Sequence, residues 1–241
     1  MSSVQLTRRY SVAHRTHPGR IKSINQEAVA VVELGPESFL VAVAGGLGSA
    51  RCGRTAARTV IKTLTREAEG WLPSDPDTCV DWIHHSLGQA HRRLARKASD
   101  EPKLADMSTT IVVAICTPQF VVYQHAGDSA LYWFRGSQLM HRSVDHVQAG
   151  EQPHSYLGPE LAWARVQLDP DPCTPLYPEP GDWLLLTTQG VAQELPQKEI
   201  ARLGDSTEAA EELSDQLLEV ALEEGGRDNL TLAVVRTLSA P

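Results

Sequence analysis

Thiols are scarce in this 241-residue chain: Cys52, Cys79, Cys116 and Cys173 are its only four cysteines, and no two form a CxxC pair. That scatter excludes a zinc knuckle and a disulfide scaffold and points to reduced thiols. A basic excess is missing too. With 22 Lys and Arg against 30 Asp and Glu the formal net charge is -8, the reverse of the footprint by which a protein holds nucleic acid or an anionic membrane through its overall field. The opening MSSVQLTRRYSVAH lacks an apolar signal core, and no uncharged run is long enough to span a bilayer. A cytoplasmic protein with no nucleic-acid and no membrane partner is expected. Common catalytic signatures are absent as well. Gly45-Gly46-Leu47-Gly48 invites a nucleotide-loop reading but lacks GKS or GKT, and its GxGxxG spacing fails at Arg51. His84, His85 and His91 form no HExxH and read as solvated residues on a polar helix face. No GxSxG elbow occurs, and Cys52, although beside two arginines, has no placed base and reads as inert.

What is present is enough for a core. The chain is 41% hydrophobic and 22% charged, the balance of one soluble globular domain rather than a disordered segment. Alternating and β-branched apolar residues predict early strands at Val4–Ala13, Glu27–Leu34 and Phe39–Ala44. Ala57, Val60, Ile61 and Leu64 at helical spacing predict a helix over Gly53–Glu69, and Val80, Ile83, Leu87 and Leu94 predict a second over Pro76–Lys97. Strands return at Thr109–Cys116, Gln119–His125, Ala130–Phe134 and Gln138–Arg142, read as a meander in which Trp133 and Phe134 are core or sheet-face residues. Ala149–Pro180 reads as loops around one short strand, Leu161–Leu168, before an apolar strand at Trp183–Thr188. Helices near Gln197–Leu203 and Ser206–Glu224 and a final strand at Leu230–Thr237 complete the chain. Without an internal repeat or a linker, the expectation is a single α+β domain over 1–241, with two antiparallel sheets between helical layers in a four-layer αββα sandwich.

Three stretches carry more than secondary structure: HAGDSALYWFRGSQLMHRSVDH (His125–His146), GDWLLLTTQG (Gly181–Gly190) and GGRDNLTLAVV (Gly225–Val235). Upstream lie Gly19-Arg20-Ile21-Lys22-Ser23-Ile24-Asn25-Gln26-Glu27, then Ala44-Gly45-Gly46-Leu47-Gly48-Ser49, Gly53 and Ser108-Thr109-Thr110. In isolation Asp228-Asn229 after two glycines would read as a turn entering a strand. In this order the set resembles the bacterial type of the metal-dependent (PPM-type) protein phosphatase 2C family. The glycines and the sequence of motifs match; most of the acidic groups do not.

The resemblance implies hydrolysis of phosphoserine and phosphothreonine by paired Mg2+ or Mn2+ ions that share a nucleophilic water. Such hard cations need several oxygen ligands, carboxylates among them. The family's bridging Asp falls on Gly45, which offers no side chain, and the Asp of its SDG motif falls on Gln189, which is neutral. The Asp of its N-x-D motif falls on Glu27, one methylene longer, while Asp228 is unchanged and Asp128 is present. Glu27, Gly46, Asp128 and Asp228 remain as residual metal candidates. The phosphate-binding Arg falls on Lys22, with Arg20 two residues earlier, and a lysine lacks the bidentate fork of arginine. The flap that bacterial members carry is shortened around 147–157. Two vacated carboxylates leave a pair of divalent ions poorly neutralised at short range. The expectation is a pseudophosphatase, with no bound Mn2+ or Mg2+ or only a weakly held ion. It would serve as a binding or regulatory module for a protein partner, a phosphoprotein or a Ser/Thr kinase. The alternative is an active phosphatase with an altered site built from Glu27, Asp128, Asp228 and Gln189.

Overall fold

A computed structural model describes residues 3–4, 9–146, 157–158 and 174–238. Strands β1 (Ser3–Val4), β2 (Tyr10–His17), β3 (Ala28–Gly35) and β4 (Ser38–Leu47) come first, then helices α1 (Ala50–Glu67) and α2 (Pro76–Asp100). Strands β5 (Ser108–Cys116), β6 (Val121–Ala126), β7 (Ala130–Arg135), β8 (Gln138–Arg142) and β9 (Asp182–Thr187) follow. Helices α3 (Gln189–Glu194), α4 (Gln197–Ser206) and α5 (Ala210–Glu223) precede β10 (Leu230–Thr237). The strands form two antiparallel sheets, one ordered β1-β2-β10-β9-β7-β8 and one ordered β3-β4-β5-β6.

Strand alternation explains the layering. In β4, Leu40, Ala42 and Ala44 pack among α1 and α2 residues such as Val60, Leu64, Ile83 and Leu87. Phe39, Val41 and Val43, on the other face, meet Leu184, Leu186 and Val235 of the larger sheet. The period of two thus gives one strand two apolar faces, buried against different neighbours. The outer face of the larger sheet, with Leu185, Leu232 and Val234, is covered by Ile200, Leu213 and Leu217 of α4 and α5. The result is the expected α+β arrangement of two antiparallel sheets with helices outside both. Helix starts follow local chemistry. Ser49 caps α1 by accepting from the Cys52 amide at 3.4 Å, and Asp75 caps α2 by accepting from Thr78 at 2.9 Å, with Pro76 in the first turn.

Three expectations change. The meander is divided: β5 and β6 belong to the smaller sheet, whereas β7 and β8 belong to the larger one. The chain crosses between sheets at Gly127, whose φ of 97° lies in the left-handed region that glycine tolerates. Alternation marks a strand but does not name its partner. Second, a helix, α3, stands directly behind β9, where no helix was expected. Third, His91 is buried at 8% exposure rather than solvated. The expected strand at Leu161–Leu168, Cys173, and all but the end of the expected short flap lie outside the described residues.

Candidate active site

A small cleft of about 60 Å3 opens where strand ends from both sheets converge. Glu27 enters it just before β3, Gly45 and Gly46 at the end of β4, and Thr110 near the start of β5. Asp128 comes from the crossing between sheets, Thr188 and Gln189 from the junction of β9 and α3, and Asp228 from the turn before β10. Six positions singled out in the sequence, Glu27, Gly45, Gly46, Asp128, Gln189 and Asp228, therefore line one cavity. Lys22 reaches its rim through an ion pair of 3.7 Å from Nζ to Asp228 Oδ1. Arg20 is not among the lining residues. Its amide donates to the Gly226 carbonyl at 2.7 Å, and its aliphatic stem lies against the same turn.

Asn229 holds this geometry. Its Oδ1 accepts from the Gln26 amide at 2.9 Å, and its Nδ2 donates to the carbonyls of Pro18 at 2.8 Å and Ile24 at 3.1 Å. The β2–β3 loop, with Lys22 and Glu27, is thereby fastened to the start of β10. Gly190 makes room for the fastening, since a Cβ there would lie 2.0 Å from the Asn229 carbonyl oxygen.

Hydroxyls occupy much of the interior. Thr110 Oγ1 and Ser129 Oγ share a hydrogen bond of 2.7 Å, Thr109 Oγ1 donates to the Gly45 carbonyl at 3.0 Å, and Thr188 Oγ1 donates to Glu27 Oε2 at 3.0 Å. A Cβ on Gly45 would stand 2.9 Å from Thr110 Oγ1, so the neighbouring hydroxyl already fills the space that a longer side chain would need.

The carboxyls differ in character. Glu27 keeps some accessible surface, yet protein surrounds its carboxyl group. Burial pushes it up to about 8 from an ordinary 4.5, opposed by the Thr231 and Thr188 hydroxyls and reinforced by Asp228 and Asp128. Asp128, 6% exposed, is pushed up to about 6 by burial, with Asp145 adding to the effect. Asp228 is half-exposed and already paired with Lys22.

This donor set does not fit two divalent cations. Gly45 supplies no side-chain oxygen and Gln189 supplies a neutral one, so Glu27, Asp128 and Asp228 are the carboxyls left in the lining, and Asp228 has an ammonium beside it. Among the described residues, no three His, Cys, Asp or Glu side chains are grouped to hold a metal ion. What the cleft offers is hydroxyls, the carboxyls of Glu27, Asp128 and Asp228, and a lysine at the rim.

Sequence reasoning located the glycines and acids but overlooked Thr110, Ser129, Thr188 and the fastening role of Asn229. The available signal was the concentration of hydroxyls at strand ends, in Ser108-Thr109-Thr110, Thr187-Thr188 and Thr231. Elsewhere, burial pushes the Cys52 thiol up, with Asp106 also disfavouring its thiolate, consistent with an inert thiol.

The model of the family described as protein phosphatase 2C matches residues 19–233. The serine/threonine phosphatase stp of Listeria monocytogenes is 26% identical over 237 residues, covering 92% of this chain and 93% of the relative. Protein phosphatase PhpP of Streptococcus pneumoniae is likewise 26% identical, covering 91% and 94%. Among solved structures, the S. agalactiae serine/threonine phosphatase superposes with a TM-score of 0.82 at 21% identity, covering 95% of this chain and 99% of that one. PppA, described as a key regulatory component of T6SS in Pseudomonas aeruginosa, gives 0.80 at 23% identity, covering 98% and 100%. The match over 19–233 takes in every motif around the cleft, and the chain belongs to the protein phosphatase 2C family.

Proposed function

We propose that this chain is a pseudophosphatase: a cytoplasmic phosphatase-fold module that engages a phosphorylated or acidic segment of a protein partner, with metal-dependent hydrolysis absent or strongly impaired. One observation carries the reading. Gly45 brings no carboxylate to the cleft and has Thr110 Oγ1 pressed against the place where its side chain would begin. With Gln189 also neutral, two Mg2+ or Mn2+ ions at close range would lack two of the anionic oxygens that offset their repulsion. The same changes remove negative charge that would repel an oxyanion, leaving Asp128, Asp228 and Glu27 as the acidic groups of the lining. The Lys22 ammonium and a protonated Glu27 carboxyl can donate to phosphate oxygens, and charge-assisted bonds carry much of such recognition. Lys22 is the proposed phosphate contact. Arg20 would join it only by swinging from the Gly226 turn.

The phosphatase relatives favour a second reading, an active phosphoserine and phosphothreonine phosphatase using an altered metal site. A phosphothreonine peptide separates the two in one experiment. The expected result is saturable binding, weakened about tenfold or more by Lys22→Glu, with no Mn2+-dependent release of phosphate. Turnover of about 1 per second or faster in millimolar Mn2+ would establish the active enzyme and end the pseudophosphatase reading.

A further inference from the structure

The mouth of the cleft decides which segment can bring a phosphate to it. At about 60 Å3 the cleft is far smaller than pockets that enclose a whole small ligand, which run to roughly 300–1,000 Å3. It takes in little beyond a phosphoryl group, so the residues on either side of that group must lie on the rim. Two segments border the cleft there. The β2–β3 loop reaches Asp228 through the Lys22 ion pair. Residues 143–146 run beside Asp128, since the His146 amide donates to the Gly127 carbonyl at 2.9 Å and Asp145 is close enough to act on the Asp128 carboxyl. Six large apolar side chains are exposed among the described residues, and three of them stand on these two short segments: Ile21 at 70%, Ile24 at 40% and Val144 at 75%. None of the three packs into a core cluster. Isolated exposed apolar residues are ordinary, but half of them gathered beside one cleft mark a contact surface.

Their main chain is held in place. The Gly19 amide donates to His17 Nδ1 at 3.0 Å, the Arg20 amide donates to Gly226, the Ile24 carbonyl accepts from Asn229, and the Val144 carbonyl accepts from His125 Nε2 at 2.9 Å. The apolar side chains are thus presented on a fixed frame, and a partner that covers them loses little to ordering of the loop. The charges beside them are already matched: Lys22 faces Asp228, and Arg142 faces Asp145 at 2.9 Å. A charged neighbour of the phosphoresidue meets a charge of its own sign along with the opposite one, whereas an apolar neighbour gains by covering an isoleucine or the valine. Resting on the reading of the cleft as a phosphate-binding site, we propose that the partner segment carries its phosphoserine or phosphothreonine between two bulky apolar residues, one covering Ile21 and Ile24 and the other covering Val144.

Fluorescence anisotropy on the whole chain in EDTA, which suppresses metal-dependent turnover, tests this with labelled phosphothreonine peptides that carry Leu, Ser or Glu on both sides of the phosphoresidue, and with the unphosphorylated Leu peptide. The Leu phosphopeptide is expected to bind about tenfold or more tighter than the Ser phosphopeptide. Combining Ile21→Ser, Ile24→Ser and Val144→Ser should bring the two within about twofold of each other, with no loss of melting temperature because all three side chains are exposed. Equal binding of the Leu and Ser phosphopeptides to the parent overturns the inference and leaves the phosphate site standing; binding of neither at millimolar concentration overturns both. The inference also falls if the Glu phosphopeptide binds tightest, if the unphosphorylated Leu peptide binds as tightly as its phosphorylated form, or if the triple variant discriminates like the parent. A parent dimer in sedimentation that the triple variant turns into a monomer overturns it too, and gives the apolar rim to a second copy of the chain.

Discussion

Glu27 has a consequence for stability that depends on pH. Its carboxyl is pushed up to about 8 in the folded chain from an ordinary 4.5, so between those values the folded state holds a proton that the unfolded state has released. Folded-state stability therefore falls as pH rises through that window, and is lost rather than gained on deprotonation. Glu27→Gln keeps the acceptor for Thr188 Oγ1 and cannot ionise. It should melt like the parent near about pH 5 and above it near about pH 9, in circular-dichroism melts across the range. Parallel curves for the two proteins would show that Glu27 ionises freely. The position of Glu27 was legible in the sequence through the Asn25-Gln26-Glu27 motif. The upward push was not, because it comes first from burial in the fold, and the Thr231, Thr188, Asp228 and Asp128 groups that adjust it lie far away along the chain.

Between elements, the fastening of the β2–β3 loop to β10 rests on one side chain. Asn229 is 2% exposed and makes three hydrogen bonds to main-chain atoms across more than 200 residues of sequence. Asn229→Ala strands an amide and two carbonyls in a partly buried place, and a loss of about 2–4 kcal/mol is expected from urea denaturation. A loss below about 1 kcal/mol would mean that water replaces the side chain readily. Most elements could be read from periodicity, and β8 and β10 fall where alternation placed them, at Gln138–Arg142 and Leu230–Thr237. What alternation could not supply was partnership. Nothing local in β6 or β7 says that the chain changes sheets at Gly127. The six residues of α3 are also too few to display a helical stripe.

For the molecule as a whole, the proposed pseudophosphatase reading predicts indifference to metal. Thermal melts with and without millimolar Mn2+ should nearly coincide, since an ion near its dissociation constant adds only about 0.4 kcal/mol; a large upward shift would reveal a true metal site. The family and its layered fold were legible because the motifs stand in an order that a chance sequence does not reproduce. The pairing of the larger sheet bears on how the chain is made. Strand β10 lies between β2 and β9, with Tyr10 opposite Thr237 and His17 opposite Leu230. During synthesis, β3 to β6 with α1 and α2 form one continuous stretch that can gather early, but the edge of β2 away from β1 waits for a partner about 200 residues later, roughly 10–40 s at usual ribosomal speeds. Throughout that interval the nascent chain carries an open strand edge, and a ribosome that stalls before Leu230 releases a product with one edge of β2 and one edge of β9 bare, ready to pair with a neighbouring chain.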